Sequence, residues 1–144
     1  MSSLMPSETA LPTALTDADY AALAEFRHAL RQFHAFSEAR AIGQGLTPQQ
    51  HQALLAIRGA GPDLPTIGDV ARRLMLKPHS ATGLINRLAD QGWIERIAAT
   101  DDRRRARLRL TAKARDALAA LSTAHRDEIR RMRPMLETML AAIG

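Results

Sequence analysis

Polar and apolar side chains alternate along residues 105–110 with the two-residue period of a β-strand, whereas the helical segments on either side of residues 93–110 repeat every three or four residues. Two alternating segments, WIERIAA and RARLRL, are joined by TDDRR and predict a β-hairpin. The second strand places three arginines on one face and three apolar side chains on the other, namely Arg105, Arg107 and Arg109 against Ala106, Leu108 and Leu110. We expect the apolar face to pack on a helical core, and Arg107 and Arg109 to support the hairpin or to pair with acids.

The segments on either side of the hairpin are predicted to be helices. A composition that is 46% hydrophobic but only 3% aromatic favours helices, and 144 residues suffice for one domain. Helix starts are marked by threonines in the N-cap position and by prolines at the first helical position. These residues are Thr16, Thr47, Thr66 and Thr111, with Pro48 and Pro78.

Helical spacing of apolar residues predicts the core. The residues expected to be buried before the hairpin are Leu54, Leu55 and Ile57, then Ile67, Val70, Ala71 and Leu74, then Leu84, Ile85 and Leu88. In the last long helix we expect a break at Pro134, because proline cannot continue a helix interior without a kink. The order of elements predicts a mainly α fold with a small β-hairpin: a winged helix-turn-helix lobe with long N- and C-terminal helices that dimerise.

Positive charge is concentrated around the hairpin. The chain carries 20 Lys and Arg against 15 Asp and Glu, with a formal net charge of +5 and a pI of about 10.9. Eight basic residues lie between Arg96 and Arg115, with Asp101 and Asp102 as the two acids of that segment. A local basic patch of this kind favours a nucleic acid or an acidic partner.

Several classes of function are disfavoured by what the sequence lacks. The chain has no cysteine, and its five histidines follow no metal-ligand spacing. We find neither a Gly-rich phosphate loop nor a G-x-S-x-G motif, no signal peptide, and no run of roughly 18 apolar residues that could span a membrane. We therefore expect a cytoplasmic protein that is not an enzyme and needs no cofactor, metal or membrane.

Two motifs stand at fixed spacing around the hairpin. The residues that form them are Gly92, Trp93, Ile94 and Arg96 after the third short helix, then Asp102, Arg104, Leu110 and Thr111. In these motifs, and in the order of its flanking helices, the chain resembles the MarR family of bacterial transcriptional regulators over roughly residues 16–144. The resemblance implies a homodimer with winged-helix DNA-binding lobes beneath a helical dimerisation domain. Lys77 and Gly83 depart from the family's pattern, so the operator sequence does not carry over.

The resemblance and the periodicity together divide the chain into functional regions. We expect a flexible N-terminal arm over residues 1–15 and a winged helix-turn-helix DNA-binding lobe over residues 46–110. Residues 16–45 and 111–144 are expected to form the N- and C-terminal parts of the dimerisation region.

The helix that begins at Pro78 is expected to lie in the major groove, where side chains of its outward N-terminal face can reach base edges. The predicted DNA-binding residues are Lys77, Pro78, His79, Ser80, Thr82, Gly83, Asn86, Arg87, Asp102, Arg103, Arg104 and Arg105. We expect His79, Ser80 and Thr82 to contact bases. Lys77 and Arg87 are expected to contact phosphates. The resemblance assigns Arg104 to the minor groove, with Asp102 holding its guanidinium.

The flanking helices supply two further predicted sites. The expected dimerisation residues are Tyr20, Leu23, Met132, Leu136, Met139, Leu140 and Ile143. MarR-like proteins often bind a small phenolic or aromatic acid where such helices meet the DNA lobe. His34, Arg40 and His51 are candidates for that pocket by location alone.

Two functions of different classes remain open. The first is a homodimeric regulator, expected to be a repressor, that binds a pseudo-palindromic double-stranded DNA operator and is released by a small-molecule effector. The alternative is a winged-helix protein-interaction module whose basic hairpin docks an acidic partner. The short polar side chains of His79, Ser80 and Thr82 suit a DNA groove, whereas the centre of a protein interface would favour aromatic residues.

Overall fold

The structure, a computed structural model, describes residues 14–98 and 106–143, except for the side chain of Ile143. The described residues form α1 (Asp17–Gly43), α2 (Pro48–Gly59), α3 (Ile67–Leu74), α4 (Pro78–Asp90), β1 (Ile94–Ile97), β2 (Arg107–Leu110) and α5 (Ala112–Ile143). The expected mainly helical fold with one small hairpin is confirmed. Residues 1–13, most of the predicted N-terminal arm, lie outside the described residues.

Threonine caps begin four of the helices, as the sequence predicted. Thr16, Thr47 and Thr66 each form a capping box with the side chain and backbone N–H of the third helical residue. At the start of α5, Oγ1 of Thr111 accepts from the backbone N–H of Ala114 at 3.3 Å. These caps satisfy backbone donors that a helix leaves unpaired at its N-terminus.

The core lies between α2, α3, α4 and the hairpin. Its largest fully buried side chains are Leu46, Leu54, Val70, Leu84, Ile85, Leu88 and Leu108. The prediction that Leu55 is buried beside Leu54 is wrong, since Leu55 is 44% exposed. At about 100° per residue, the buried side chains of Ala53 and Ile57 lie to one side of Leu54 around α2, whereas Leu55 lies to the other side, beyond the edge of the buried face.

The hairpin has the predicted division of faces. β1 and β2 pair antiparallel, with Ile94 opposite Leu110 and Arg96 opposite Leu108. Leu108 and Leu110 are buried, whereas Arg109 is exposed. The apolar face of β2 therefore contributes to the core while its arginines lie on the other side.

The described arginines of β2 are engaged within the protein. Nη1 of Arg107 donates to the carbonyl oxygen of Leu64 at 3.0 Å, which ties the hairpin to the segment before α3. Arg109 forms an ion pair with Glu95 of β1 at 2.7 Å. The expectation that these two arginines support the hairpin or pair with acids is confirmed.

α5 continues through Pro134, so the predicted break is wrong. The apolar stripe on α5 does not stop at the proline: Met132, Met135, Leu136 and Met139 are all half-buried. Full burial of one such side chain is worth about 1.5–3 kcal/mol, so four half-buried ones offset the roughly 3 kcal/mol that an interior proline costs. Thr138 also donates its hydroxyl hydrogen to the Pro134 carbonyl at 2.9 Å.

α1 and α5 make the most extensive helix–helix contact of the described fold and still leave apolar side chains exposed. Tyr20 is 57% exposed, Ile129 53% and Leu140 64%. The other described members of the predicted dimerisation set are half-buried within the single chain, namely Leu23, Met132, Leu136 and Met139. The two long helices thus carry apolar surface that residues 14–98 and 106–143 leave uncovered.

Candidate nucleic-acid interface

α4 buries one face and exposes the other. Leu84, Ile85 and Leu88 point into the core, as the sequence predicted. The exposed side chains at the start and along the outer face of α4 are Lys77, Pro78, His79, Ser80, Thr82, Asn86 and Arg87, with Gly83 half-buried among them. The predicted contacts of the recognition helix therefore lie together on one polar surface.

The N-terminus of α4 differs from those of α1, α2 and α3. Lys77, in the N-cap position, makes no side-chain capping hydrogen bond, and Pro78 occupies the first helical position. Backbone donors in the first turn therefore lack a side-chain partner, and the helix dipole adds partial positive charge there. Such a terminus, with the Lys77 ammonium beside it, suits a phosphate.

Gly83 has no side chain and leaves space on α4 for that of Arg87, one turn further along. A Cβ atom at Gly83 would lie 3.6 Å from Nη1 of Arg87, which is ordinary van der Waals contact. The guanidinium of Arg87 thus lies close to the helix surface at Gly83.

The hairpin contacts the recognition helix through one side chain. Arg96 of β1 donates a hydrogen bond to Oδ1 of Asn86. The four predicted contacts at the hairpin tip, Asp102, Arg103, Arg104 and Arg105, lie outside the described residues.

The turn after α4 and the start of α5 form one hydrogen-bonded unit. Thr111 donates its hydroxyl hydrogen to the carbonyl of Gly92 at 2.8 Å and its backbone N–H to the carbonyl of Trp93 at 3.1 Å. The ammonium of Lys113 lies 4.1 Å from the centroid of the Trp93 ring. Gly92 has φ +81°, a conformation that glycine adopts without strain. These contacts join the turn that follows the recognition helix to the start of α5.

A cavity of about 560 Å³ lies between α1, α2 and α5, with Phe33 and Leu121 in its apolar wall. Its ionisable lining side chains are all basic: His34, His51, His125, Arg126 and Arg130. His34 and His51, two of the three residues predicted for a ligand pocket, line this cavity. Arg40 does not line this cavity, because its guanidinium lies 5.1 Å from the centroid of the Phe36 ring, one turn back on α1.

His125 is the cavity residue that sequence reasoning missed. Its Nδ1 is 2.8 Å from the carbonyl oxygen of Leu121, and its Nε2 is 2.9 Å from Oγ of Ser37. Because a carbonyl oxygen only accepts, Nδ1 of His125 carries a proton and donates it to Leu121, while Nε2 forms the hydrogen bond with the Ser37 hydroxyl. The available signal was spacing, since His125 continues the buried stripe of Leu118 and Leu121 on α5.

His51 is buried beside His125. Its side chain is 2% exposed, its ring centroid lies 5.3 Å from that of His125, and its Nδ1 has no hydrogen-bond partner within the described ranges. Burial, and then the neighbouring His125, lower the pKa of His51 below its ordinary value. Both effects disfavour the imidazolium form. His51 is therefore neutral near pH 7 while no anion is beside it.

Residues 14–98 and 106–143 lack two other kinds of site. No group of three or more His, Asp or Glu side chains in these ranges could hold a metal ion. None of the helices in the same ranges is long and apolar enough to cross a membrane.

A buried helix-turn-helix core, an exposed polar recognition helix and a hairpin define a winged helix-turn-helix protein. Residues 44–105, which run from the end of α1 through α4 and β1, match the sequence model of the MarR family. This match confirms the resemblance to the MarR family seen in the sequence. Family and fold together support a DNA-binding transcription regulator.

Solved structures share the fold at low sequence identity. RV1404 from Mycobacterium tuberculosis is 21% identical with a TM-score of 0.72, covering 92% of this chain and 96% of that one. AbsC, a MarR family transcriptional regulator from Streptomyces coelicolor, is 21% identical with a TM-score of 0.67, covering 83% and 81%. A mutant of S. aureus MepR bound to an oligodeoxyribonucleotide is 19% identical with a TM-score of 0.63, covering 91% and 100%. None of the curated proteins matches the chain.

Proposed function

We propose that the protein is a homodimeric transcriptional repressor that binds a pseudo-palindromic double-stranded DNA operator and is released by a small-molecule effector. The observation that carries the proposal is the outer face of α4, where every described polar candidate is exposed above a leucine-rich buried face. Short polar side chains on a solvent-facing helix fit the major groove. The oligonucleotide bound to the MepR mutant supports DNA as the ligand class.

Within α4, the proposed roles follow from position on the helix. His79, Ser80 and Thr82 lie in the first turns and contact base edges. Lys77 and Arg87 contact phosphates on either side of the groove, and the uncapped N-terminus of α4 receives a phosphate oxygen.

At the hairpin tip, the proposal rests on the family motif in the sequence. Arg104 enters the minor groove and Asp102 orients its guanidinium. Arg103 and Arg105 contact the neighbouring phosphates. Because Arg107 is bonded to the Leu64 carbonyl and Arg109 is paired with Glu95, neither is proposed to contact DNA.

A second copy of the chain would cover the exposed apolar surface of α1 and α5. Tyr20 and Leu140 lie at the centre of the proposed interface, since both are more than half exposed in the single chain. Two-fold symmetry would then present two recognition helices to half-sites about 10 bp apart, which requires a pseudo-palindromic operator.

The proposed effector is a small phenolic or aromatic acid in the cavity between α1, α2 and α5. Apolar walls suit an aromatic ring, and a lining whose ionisable groups are all basic suits an anion. The contacts of Thr111 link the α4 turn to α5, so a ligand that shifts α5 also shifts the recognition helix. A preference of 1–3 kcal/mol for the released arrangement is typical of such coupling, roughly 5- to 150-fold in affinity.

The first test is a gel shift on the DNA upstream of the protein's own gene, at 50 and 200 mM salt. We expect wild-type binding to weaken steeply with salt, and Lys77→Ala to flatten the log–log slope by about 1, because one fewer counterion is released. Arg131→Ala is the matched control, since Arg131 lies on α5 in an ion pair with Glu128 and should leave the slope unchanged.

The same measurement separates the regulator from the protein-interaction alternative. A protein-docking module would show no sequence-dependent shift, and its weak DNA binding would be equal on operator and scrambled duplexes. If the log–log salt slope were the same for Lys77→Ala and the wild type, Lys77 would not contact a phosphate.

The effector proposal makes a pH-dependence prediction. Burial favours neutral His51 in the free protein, whereas a carboxylate bound beside it favours the imidazolium and raises its pKa. Benzoate should therefore bind with uptake of a proton, and its affinity should fall as pH rises from 6 to 8, by at most about tenfold per unit. Isothermal titration calorimetry in two buffers of different ionisation enthalpy measures both the affinity for benzoate and the number of protons taken up.

Benzyl alcohol is the matched neutral ligand, and its affinity should not change over the same range. His51→Leu should remove most of the pH dependence of benzoate binding while preserving the volume of the side chain. A benzoate affinity that stays constant from pH 6 to 8 in the wild type would contradict the assignment.

A further inference from the structure

Asn86 and Arg96 face each other where the hairpin meets the recognition helix. The guanidinium of Arg96 donates a hydrogen bond to Oδ1 of Asn86. Arginine carries five donors and no acceptor, so only the oxygen of an amide can face it. The oxygen and the NH₂ group of an asparagine amide have nearly the same shape, so hydrogen bonding decides which of them faces a neighbour. Here the Arg96 donor fixes the orientation of the Asn86 amide. The NH₂ group of Asn86 consequently points away from Arg96.

The register of the hairpin explains why Arg96 reaches α4. Arg96 pairs with Leu108 and shares its strand face with Ile94, and both of those side chains are buried. Arg96 nevertheless remains exposed, as does Asn86. Arg96 therefore lies at the rim of the core. From there its side chain reaches the solvent-facing side of α4.

The NH₂ group of Asn86 has no acceptor among the described residues, whereas its oxygen is occupied. A free asparagine reads adenine by a bidentate contact, in which Oδ1 accepts from N6–H and the amide donates to N7. With its oxygen held by Arg96, Asn86 can supply donors only. Donors match the acceptors of guanine, N7 and O6, or O4 of thymine, but satisfy only half of the adenine edge.

We infer that Arg96 is a positioning residue that makes Asn86 a donor-only reader of DNA, so that one base pair in each half-site is selected for guanine or thymine against adenine. This inference rests on the proposed function, because it requires α4 to lie in the major groove. It assigns operator specificity to an arginine of β1 that need not touch a base.

The test is a comparison of base preferences. Operators are first selected from a random duplex pool with the wild-type dimer, and dissociation constants are then measured on every single-base variant of the selected half-site. The proteins compared are the wild type, Arg96→Ala, Asn86→Ala and the double variant. Arg109→Ala serves as the matched control, because Arg109 is an arginine of the same hairpin that is paired with Glu95 on the opposite face.

We expect Arg96→Ala to free Oδ1 and to shift the preference at one symmetric position toward adenine by about 5- to 100-fold. Asn86→Ala should abolish selectivity at the same position, and the double variant should match Asn86→Ala, since Arg96 acts through Asn86. Arg109→Ala should retain the wild-type profile. All of these side chains are exposed, and thermal unfolding of each variant confirms that it folds.

Two results would overturn the inference. One is an Arg96→Ala profile that is unchanged, and the other is a loss of affinity by the same factor on every operator, which would make Arg96 a plain phosphate contact. Both leave the proposed function intact, because the wild type still selects an operator. Failure of the wild type to select any DNA would instead overturn the proposed function, and this inference with it.

Discussion

Replacing Leu140 by glutamate should convert the protein into a monomer and weaken its binding to the full operator by about 10²- to 10⁴-fold. Leu140 is 64% exposed on α5, in the apolar surface proposed to meet a second copy. A carboxylate there would be desolvated in the interface without a partner, which strongly disfavours association. A dimer binds the second half-site as an intramolecular event, which raises its affinity for the full operator by about 10²- to 10⁴-fold. A monomer loses this gain.

Sedimentation equilibrium at micromolar concentration measures the dimer, and gel shifts on the full operator and on a half-site measure the consequence. Affinity for a single half-site should be the same in wild type and variant, since α4 is untouched. Ile42→Glu is the control, because Ile42 is an aliphatic residue of nearly equal exposure, 63%, at the far end of α1. A Leu140→Glu protein that remains dimeric would show that the interface lies elsewhere.

Truncating Leu54 to alanine should lower the free energy of unfolding by about 2–5 kcal/mol, whereas the same truncation at Leu55 should cost less than about 1 kcal/mol. Leu54 is fully buried and Leu55 is 44% exposed, although they are consecutive residues of α2. The first substitution loses apolar burial and leaves a cavity in the core. Leu55→Ala removes a side chain that is already partly solvated, so less apolar burial is lost.

Urea unfolding of the two variants and the wild type at one protein concentration gives this comparison, since stability of a dimer depends on concentration. The pair is internally controlled, because residue type, helix and substitution are identical. Equal losses at both positions would contradict the assignment of the α2 core face, and with it the packing that positions α4.

The winged-helix architecture could be anticipated because its signals are local. A threonine followed three residues later by Asp or Gln is a local signature of a helix N-terminus, and Thr16, Thr47 and Thr66 each begin a helix in this way. Alternation in β2 separates Leu108 from Arg109 by the geometry of a strand alone. These features need no knowledge of what lies across the fold.

At Leu55 and Pro134 the structure differs from the sequence prediction because packing against other elements decides the conformation there. Helical spacing cannot say how wide a buried face is, so Leu55 was predicted to be buried although it lies beyond the core edge of α2. The proline rule describes an isolated helix, but at Pro134 the apolar stripe of α5 and its packing against α1 favour continuity.

In the candidate sites too, local periodicity determines some features and tertiary packing determines the others. The sequence determined which side of α4 is polar and solvent-facing, because a periodic stripe of Leu84, Ile85 and Leu88 specifies the opposite, buried side. Tertiary structure alone brought His125 to Ser37 across 88 residues and Arg96 to Asn86. Periodicity acts through neighbours on one element, whereas a hydrogen bond between elements requires the packing of the whole core to place two side chains within about 3 Å.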